Sequence, residues 1–288
     1  MTYDLYIGDY AYSSWSLRGW LLIERFGLAA RRHKVPFIDR NVAEQMSALA
    51  PAKTVPTLVT GDGAIISESV AIAEELASRH PDAGFWPSDP RARATARTLC
   101  AEMATSFGAL RGDCPMHLRV SYEDAAPSDA VLADVKRLET IWAHARTMKT
   151  GDGPWLFGAY CAADAFFAPV AARIAGYNLP VGADAAAYVA AHLSDVAFRR
   201  WRAMGLVSGE RLPWYEKPYA TRAWPGPAPR VARAVTDGTP ENSECPYSGD
   251  PVTDLMEMDG RVFGFCNPFC RNKTVADPEA WPAFMQLV

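Results

Sequence analysis

Three groups of side chains in this sequence have types and spacings that could do chemistry. Ser13, Ser14 and Ser16 lie in "YSSWSLRGWLL", beginning at Tyr12, just ahead of an apolar run. A helix start needs one hydroxyl at its N-cap, where the oxygen satisfies a free N–H of the first turn. One cap would use only one of these serines. Ser67, Glu68 and Ser69 open a second apolar helical run, where first-turn N–H groups and a hydroxyl can hold a carboxylate while Glu68 faces a cation. Read without a ligand, the first three serines are cap and turn residues, Ser67 or Ser69 caps its own helix, and Glu68 complements the helix dipole. The third group is Cys245, Cys266 and Cys270, three of the six cysteines in the chain. Cys266 and Cys270 are spaced i and i+4, so with Pro268 in the first turn of a helix both sulfurs face one side.

The elements that must position these groups can be read from periodicity. "DLYIGD" and "HKVPFID" read as strands on either side of a helix over "SLRGWLLIERFGL", whose Leu17, Trp20, Leu21 and Leu28 mark one face and whose end suits Gly27. The piece around "VAEQMSALA" is poorly defined. "TVPTLVTGDGAIIS" then reads as a hairpin turning at Gly61-Asp62-Gly63, and "ESVAIAEELASRH" as a helix with Val70, Ala73 and Ala77 on one stripe. The order β-α-β, then β-β-α, is that of a thioredoxin-like domain, over residues 1–82. After the Pro-rich "PDAGFWPSDP", residues 91–210 read as an all-helical domain. There Leu132, Val135, Leu138 and Trp142 mark one helix face, Phe167, Val170 and Ile174 another, and Pro169 should bend the latter helix. Residues 211–240 read as a Pro-rich connector packing through Trp214, Tyr215 and Trp224, and residues 241–288 as a small β/α cysteine module with an Asp259-Gly260 turn.

Composition bounds the function. The chain has 288 residues, a net charge of −4 and 49% hydrophobic residues, enough for two cores and an appendage. This charge offers no general attraction to nucleic acid or anionic lipid, and "RARATAR" fits a solvated helix face. The N-terminus has no signal-peptide pattern and no apolar run is long enough to span a bilayer, so a cytoplasmic protein is expected. In that reducing compartment the six cysteines should be thiols or ligands rather than disulfides.

The motifs "YSSWSLR", "KTVPTLV" and "SES", in that order and followed by a helical domain, resemble the cytosolic glutathione transferases over roughly residues 1–210. "SSWSLR" is similar to the serine motif of the zeta-like bacterial members, in which a cysteine often stands in the place of Trp15. The resemblance implies a glutathione site. Ser13 or Ser14 would donate a hydrogen bond to the glutathione sulfur, with the helix N-terminus also favouring the thiolate. A cis Val55-Pro56 peptide would turn the Val55 backbone toward the cysteinyl residue, as an added strand does. Glu68 and Ser69 would hold the γ-glutamyl end and Lys53 the glycyl carboxylate. Met103, Phe107, Leu110 and Met116 are candidates to border a small electrophile. A homodimer is implied by resemblance alone. "CAADAFF" resembles the family's capping-box segment, with Cys161 at the cap and Asp164 reaching back for a folding role.

The tail resembles the YHS or TRASH metal-binding modules, with a Cys-Pro start, an Asp-Gly hairpin, Phe-Cys-x-x-x-Cys and a closing Asp-Pro-Glu-x-Trp. Ser248 stands where many such modules carry a second cysteine, and the tail has no histidine. The three thiolates could hold zinc or a softer ion, with Asp254, Asp250 or water in a fourth position. In the other reading the module has lost its metal and the thiols pack. Two functions are therefore expected: a glutathione transferase, with zeta-like isomerisation as a variant, or a non-catalytic glutathione- and metal- or redox-sensing protein on the same fold.

Overall fold

The computed structural model describes residues 2–38 and 40–288. The N-terminal sheet has the order β2-β1-β3-β4. Strand β1 (Thr2–Ile7) buries Tyr3, Leu5 and Ile7 on alternate positions, pairs in parallel with β2 (Ala29–Lys34) and antiparallel with β3 (Thr57–Val59), which turns back into β4 (Ile65–Ser67). The hairpin lies where the sequence places it, and Gly63 supplies its positive φ of 88°.

The second strand begins upstream of the expected "HKVPFID" and shares only His33 and Lys34 with it, while the last residue of that stretch, 39, lies outside the described residues. Pairing with β1 forms this edge strand, with Leu5 opposite Arg32, and its charged residues face solvent. Arg31 and His33 both reach Asp4 across the pair, at 2.8 and 2.7 Å, so side chains that look unlike a strand stabilise one.

Helix α1 (Ser14–Glu24) crosses the sheet with Leu17, Trp20 and Leu21 buried. Gly19 permits its close approach to Pro56, because a Cβ there would stand 2.6 Å from the proline Cβ. The peptides before Pro51 and Pro56 are both cis. A single turn, α2 (Val42–Gln45), fills the poorly defined piece, and α3 (Ser69–Arg79) closes the domain. Its core stripe is Ile72, Ala73 and Leu76, while the expected Val70 and Ala77 sit at the margin, partly buried.

The helical domain contains α4 (Pro90–Thr105), α5 (Gly108–Asp113), α6 (Asp129–Arg146), α7 (Ala162–Gly176), α8 (Ala183–Ser194) and α9 (Val196–Val207). Every residue of α7 is buried, as expected of a helix apolar on all sides, and α1, α4 and α8 pack around it. It continues through Pro169. Asp164 near its start is wholly buried and accepts from Cys161 N at 2.9 Å, Leu156 N at 3.2 Å and Tyr188 OH at 2.7 Å, a folding role. Of the expected α6 stripe, Val135, Leu138 and Trp142 are buried and Leu132 is exposed, with Val131 in its place.

Residues 91–210 are not wholly helical, and residues 211–240 are not wholly a connector. Strand β5 (Ser121–Tyr122) pairs with β6 (Thr221–Arg222), so the Pro-rich segment returns over the helical domain. Strand β7 (Ala232–Val235) pairs with β8 (Asp254–Met258), which pairs with β9 (Arg261–Phe265). The cysteine-bearing sheet therefore begins at residue 232, upstream of the expected 241. Backbone pairing decides this, because the four residues of Ala232–Val235 are too few to announce themselves as a strand. Helices α10 (Pro268–Ala276) and α11 (Pro282–Met285) complete the unit. Its aromatic core, with Phe263, Phe265 and Phe284, is continuous with that of the rest of the chain. Arg199 on α9 holds Asp277 through two hydrogen bonds of 2.9 and 2.7 Å and reaches Glu279 at 3.3 Å. Among the described residues no helix is long and apolar enough to cross a membrane.

Candidate active site and thiol cluster

The hairpin and the start of α3 bring Val55, Pro56, Glu68 and Ser69 to one cavity of about 220 Å³, closed on another side by Trp15 and Thr54. Ser69 is buried and its hydroxyl has no hydrogen-bond partner. No side chain caps α3, so neither Ser67 nor Ser69 performs the capping that would explain it without a ligand. Glu68 stands at the helix entrance with φ 71° and its side chain exposed. Lys53 is exposed and does not line the cavity.

Trp15 and Val55 also line a second, larger cavity of about 680 Å³ that contains Ser13 and Ser14. The two serines differ. Ser13 is the N-cap of α1, accepting from Ser16 N at 3.3 Å while donating to Ser16 Oγ at 2.7 Å, and Ser16 Oγ in turn accepts from Gly8 N at 2.9 Å. Its proton is therefore committed. Ser14 accepts from Arg173 Nη2 at 3.4 Å, leaving its own proton free, and is only half-buried. Of the nearby tyrosines, Tyr12 OH accepts from the Leu212 N of the returning segment at 3.3 Å, and the Tyr10 ring packs edge-on against Trp201 at 4.7 Å.

Met103, Phe107, Leu110 and Met116 do not border this cavity. All four are buried, Met103 and Leu110 on the core faces of α4 and α5 and Phe107 and Met116 in the loops beside α5, and the helices supply Thr105, Gly108 and Arg111 to the lining. The remainder includes Arg173, Trp214, Tyr215 and Lys217, three cations in all and no carboxylate. Arg18 lies behind it, 1% exposed, with Nε and Nη1 unpartnered and its guanidinium over Trp15 at 4.3 Å and Phe166 at 5.2 Å. Burial, with Arg173 and Arg111 close by, pushes Arg18 down to about 9. Burial lowers Arg173 to about 10, and its Nε donates to Cys114 O at 2.8 Å. The sequence did carry a signal for Arg173, a lone arginine inside the apolar "FFAPVAARIAG".

In the tail, the sulfurs of Cys245, Cys266 and Cys270 all lie within 4.8 Å of one another. The Cys266–Cys270 separation is 3.9 Å. Tetrahedral zinc with Zn–S bonds of about 2.3 Å places sulfurs about 3.8 Å apart, so the cluster has nearly the required dimensions. Asn267 caps α10, accepting from Cys270 N at 2.8 Å, so neither flanking cysteine is needed as a cap. Its Nδ2 donates to Cys266 Sγ at 3.2 Å, and Ser248 Oγ donates to the same sulfur at 3.3 Å. Asp254 is not a fourth member, because it pairs with Arg271 at 3.0 Å, and Asp250 is exposed outside the cluster. Burial raises the Cys245 thiol, but N–H donors from Tyr247, Cys266 and Ser248 outweigh it and the net shift is downward. Burial pushes Cys270 up to about 12. All six cysteines are free thiols.

Residues 12–79 match the family model described as the glutathione S-transferase N-terminal domain. A probable maleylacetoacetate isomerase of Caenorhabditis elegans is 37% identical over 73 residues, 25% of this chain and 34% of that relative, so the chain spans about a third of that relative's length. A glutathione transferase homologue from Burkholderia, solved with bound glutathione, superposes with a TM-score of 0.52 at 24% identity, over 70% of this chain and 96% of that one. Glutathione transferase Omega 2S from Trametes versicolor, in complex with 2,4-dihydroxybenzophenone, gives 0.54 at 18% identity over 75% and 99%. The thioredoxin-like domain and the helical domain together have the fold of the glutathione transferases.

Proposed function

We propose that the protein is a glutathione transferase whose second substrate is a small anionic electrophile. The observation that carries the reading is the buried, partnerless Ser69 hydroxyl, in a cavity bordered by Val55-Pro56 and Glu68 that adjoins Ser14. In this reading the first-turn N–H groups of α3 and Ser69 hold the γ-glutamyl carboxylate, Glu68 meets its ammonium, and the Val55 backbone pairs with the cysteinyl residue. The sulfur then lies toward Ser14. Its free O–H donates to the thiolate while Arg173 and the start of α1 add positive charge, and Ser13 keeps the helix start in place. Arg111, Arg173 and Lys217 receive the anionic substrate, and the bound thiolate forms a C–S bond at its electrophilic carbon, either expelling a leaving group with its electron pair or opening an activated double bond whose carbanion takes a proton from water. Lys53 is left as an outlying contact to the glycyl carboxylate.

The named isomerase relative favours a variant of this reaction, in which the thiolate adds to an unsaturated dianion and leaves again after a bond rotation. The tail thiols support a separate metal function, with Cys245, Cys266 and Cys270 holding zinc in a YHS- or TRASH-like unit and water completing the set. Such an ion would act as a structural staple. A cytoplasmic homodimer goes with this reading, and sedimentation measures the dimer.

Calorimetric titration of glutathione into the full chain tests the site. Ser69→Ala should weaken binding by about 1–3 kcal/mol while leaving the thermal midpoint unchanged or higher, because the hydroxyl has no partner in the free protein. Unchanged affinity would remove the site. Release of free product with consumption of glutathione separates conjugation from isomerisation, in which glutathione is conserved; absence of both with intact binding favours a sensing protein.

A further inference from the structure

The far end of α1 from the serines borders another cavity, of about 560 Å³, enclosed jointly by the N-terminal domain, α9 and the cysteine-bearing tail. Arg32 of β2, Arg200 of α9 and Lys273 of α10 line it, against one carboxylate, Glu24, which is already paired with Arg200 at 2.7 Å. Lys273 is the unusual member. It is 5% exposed, and among the described residues its ammonium has neither a hydrogen-bond acceptor nor a carboxylate partner. Ring faces meet its charge, those of Tyr247 at 3.9 Å, Trp281 at 4.2 Å and Phe269 at 5.4 Å, with the thiols of Cys270, Cys245 and Cys266 near it on the tail side and Arg32 near it on the other. A buried ammonium ordinarily acquires an anionic partner, because ring faces replace only part of its lost hydration. Arg200 adds a second donor without a partner, since its Nε is buried and unbonded. The rest of the wall is apolar, with Leu28, Ala29, Ala30 and Pro282 beside the two tryptophans.

We propose that this cavity binds a small organic carboxylate, with Lys273 and the Arg200 Nε–H at the carboxylate, Arg32 at the rim, and an apolar body against the β2 and α11 side. Because its walls come from both ends of the chain, the ligand would fasten the tail to the thioredoxin-like domain. The site is separate from the serine cavity, which shares none of its lining residues.

Benzoate is a suitable probe, with benzamide as its neutral counterpart, titrated calorimetrically into the full-length protein. Saturable benzoate binding with no benzamide binding is expected. Lys273→Met, which keeps the unbranched apolar stem and loses only the charged end, should weaken benzoate by at least about tenfold, and Arg32→Ala, on an exposed strand edge, by about threefold. Raised protection of the tail from proteolysis in saturating benzoate should accompany binding. Lack of saturable binding to the wild type, equal binding of benzamide, or wild-type benzoate affinity in both variants would overturn the proposal. The last result would place benzoate among the arginines beside Ser14. If Lys273→Met does not fold, Arg32→Ala alone decides the outcome.

Discussion

The serine-bearing cavity and the thiol cluster both stand at the start of a helix, and they differ in which side chain does the capping. At α1 the cap is Ser13, one of the hydroxyls that could have served a ligand, and its proton is bound to Ser16 Oγ. At α10 the cap is Asn267, which lies between the two cysteines and leaves both sulfurs free of that duty. The first site is consequently a cavity in which Ser14, and not Ser13, keeps its proton for a ligand, and the second is a closed group of three sulfurs of near-ligand spacing. The same local need, satisfying the first-turn N–H groups, subtracts a residue from one site and none from the other.

The largest expected effect separates the two regions altogether. Cys266→Ser or Cys270→Ser should reduce zinc content to near zero and expose the tail to proteolysis, while glutathione affinity stays at the wild-type value. Elemental analysis with limited proteolysis reads the first part and calorimetry the second. A joint loss would show that the regions are one folding unit.

Breaking the contact that docks the tail should come next. Arg199→Ala leaves the buried Asp277 carboxylate without its two hydrogen bonds, at a cost of about 3 kcal/mol, and equilibrium denaturation should then show the tail melting ahead of the helical domain. A single unchanged transition would mean that the shared aromatic core suffices.

Acid should act on the helical domain through one buried histidine. His192 is buried with an unbonded Nε2, and burial, with Arg25 adding to it, pushes it down to about 3. The unfolded chain takes up this proton near the ordinary histidine value of about 6.5, so the contribution is complete above that pH and is lost as the pH falls toward 3. Between pH 6.5 and 5 the loss is about 2 kcal/mol, and His192→Phe should remove it from the pH profile of unfolding.

The smallest effect sharpens the comparison of caps. Ser13→Ala should lower stability by about 1 kcal/mol with little change in the thiol pKa of bound glutathione, and Ser14→Ala should do the reverse, raising that pKa by about one unit. Thiolate absorbance against pH measures the second quantity. Exchange of the two phenotypes would return the donor role to Ser13.

Much of this arrangement was legible as local pattern. The alternation of Tyr3, Leu5 and Ile7, the turn at Gly63, the spacing of Cys266 and Cys270 and the "SES" helix start each depend on neighbours a few residues away, and short-range sterics and hydrogen bonding enforce them. That locality also explains what the sequence by itself determined: the order of elements in the N-terminal domain, and which stretches could carry a hydroxyl donor, a carboxylate site or a thiol cluster. Long-range pairing is different, because its energy comes from partners that no local window contains. Strand β2 forms from charged residues because β1 offers its edge, and β7 joins the tail sheet because β8 does. Packing selects the faces of α4 and α5, burying Met103 and Leu110 and turning Arg111 to the cavity. Tertiary structure alone also gathers Arg173 and Lys217 beside Ser14 and sets Lys273 among three rings, since a charge acquires its meaning from the groups that fail to pair with it as much as from those that do.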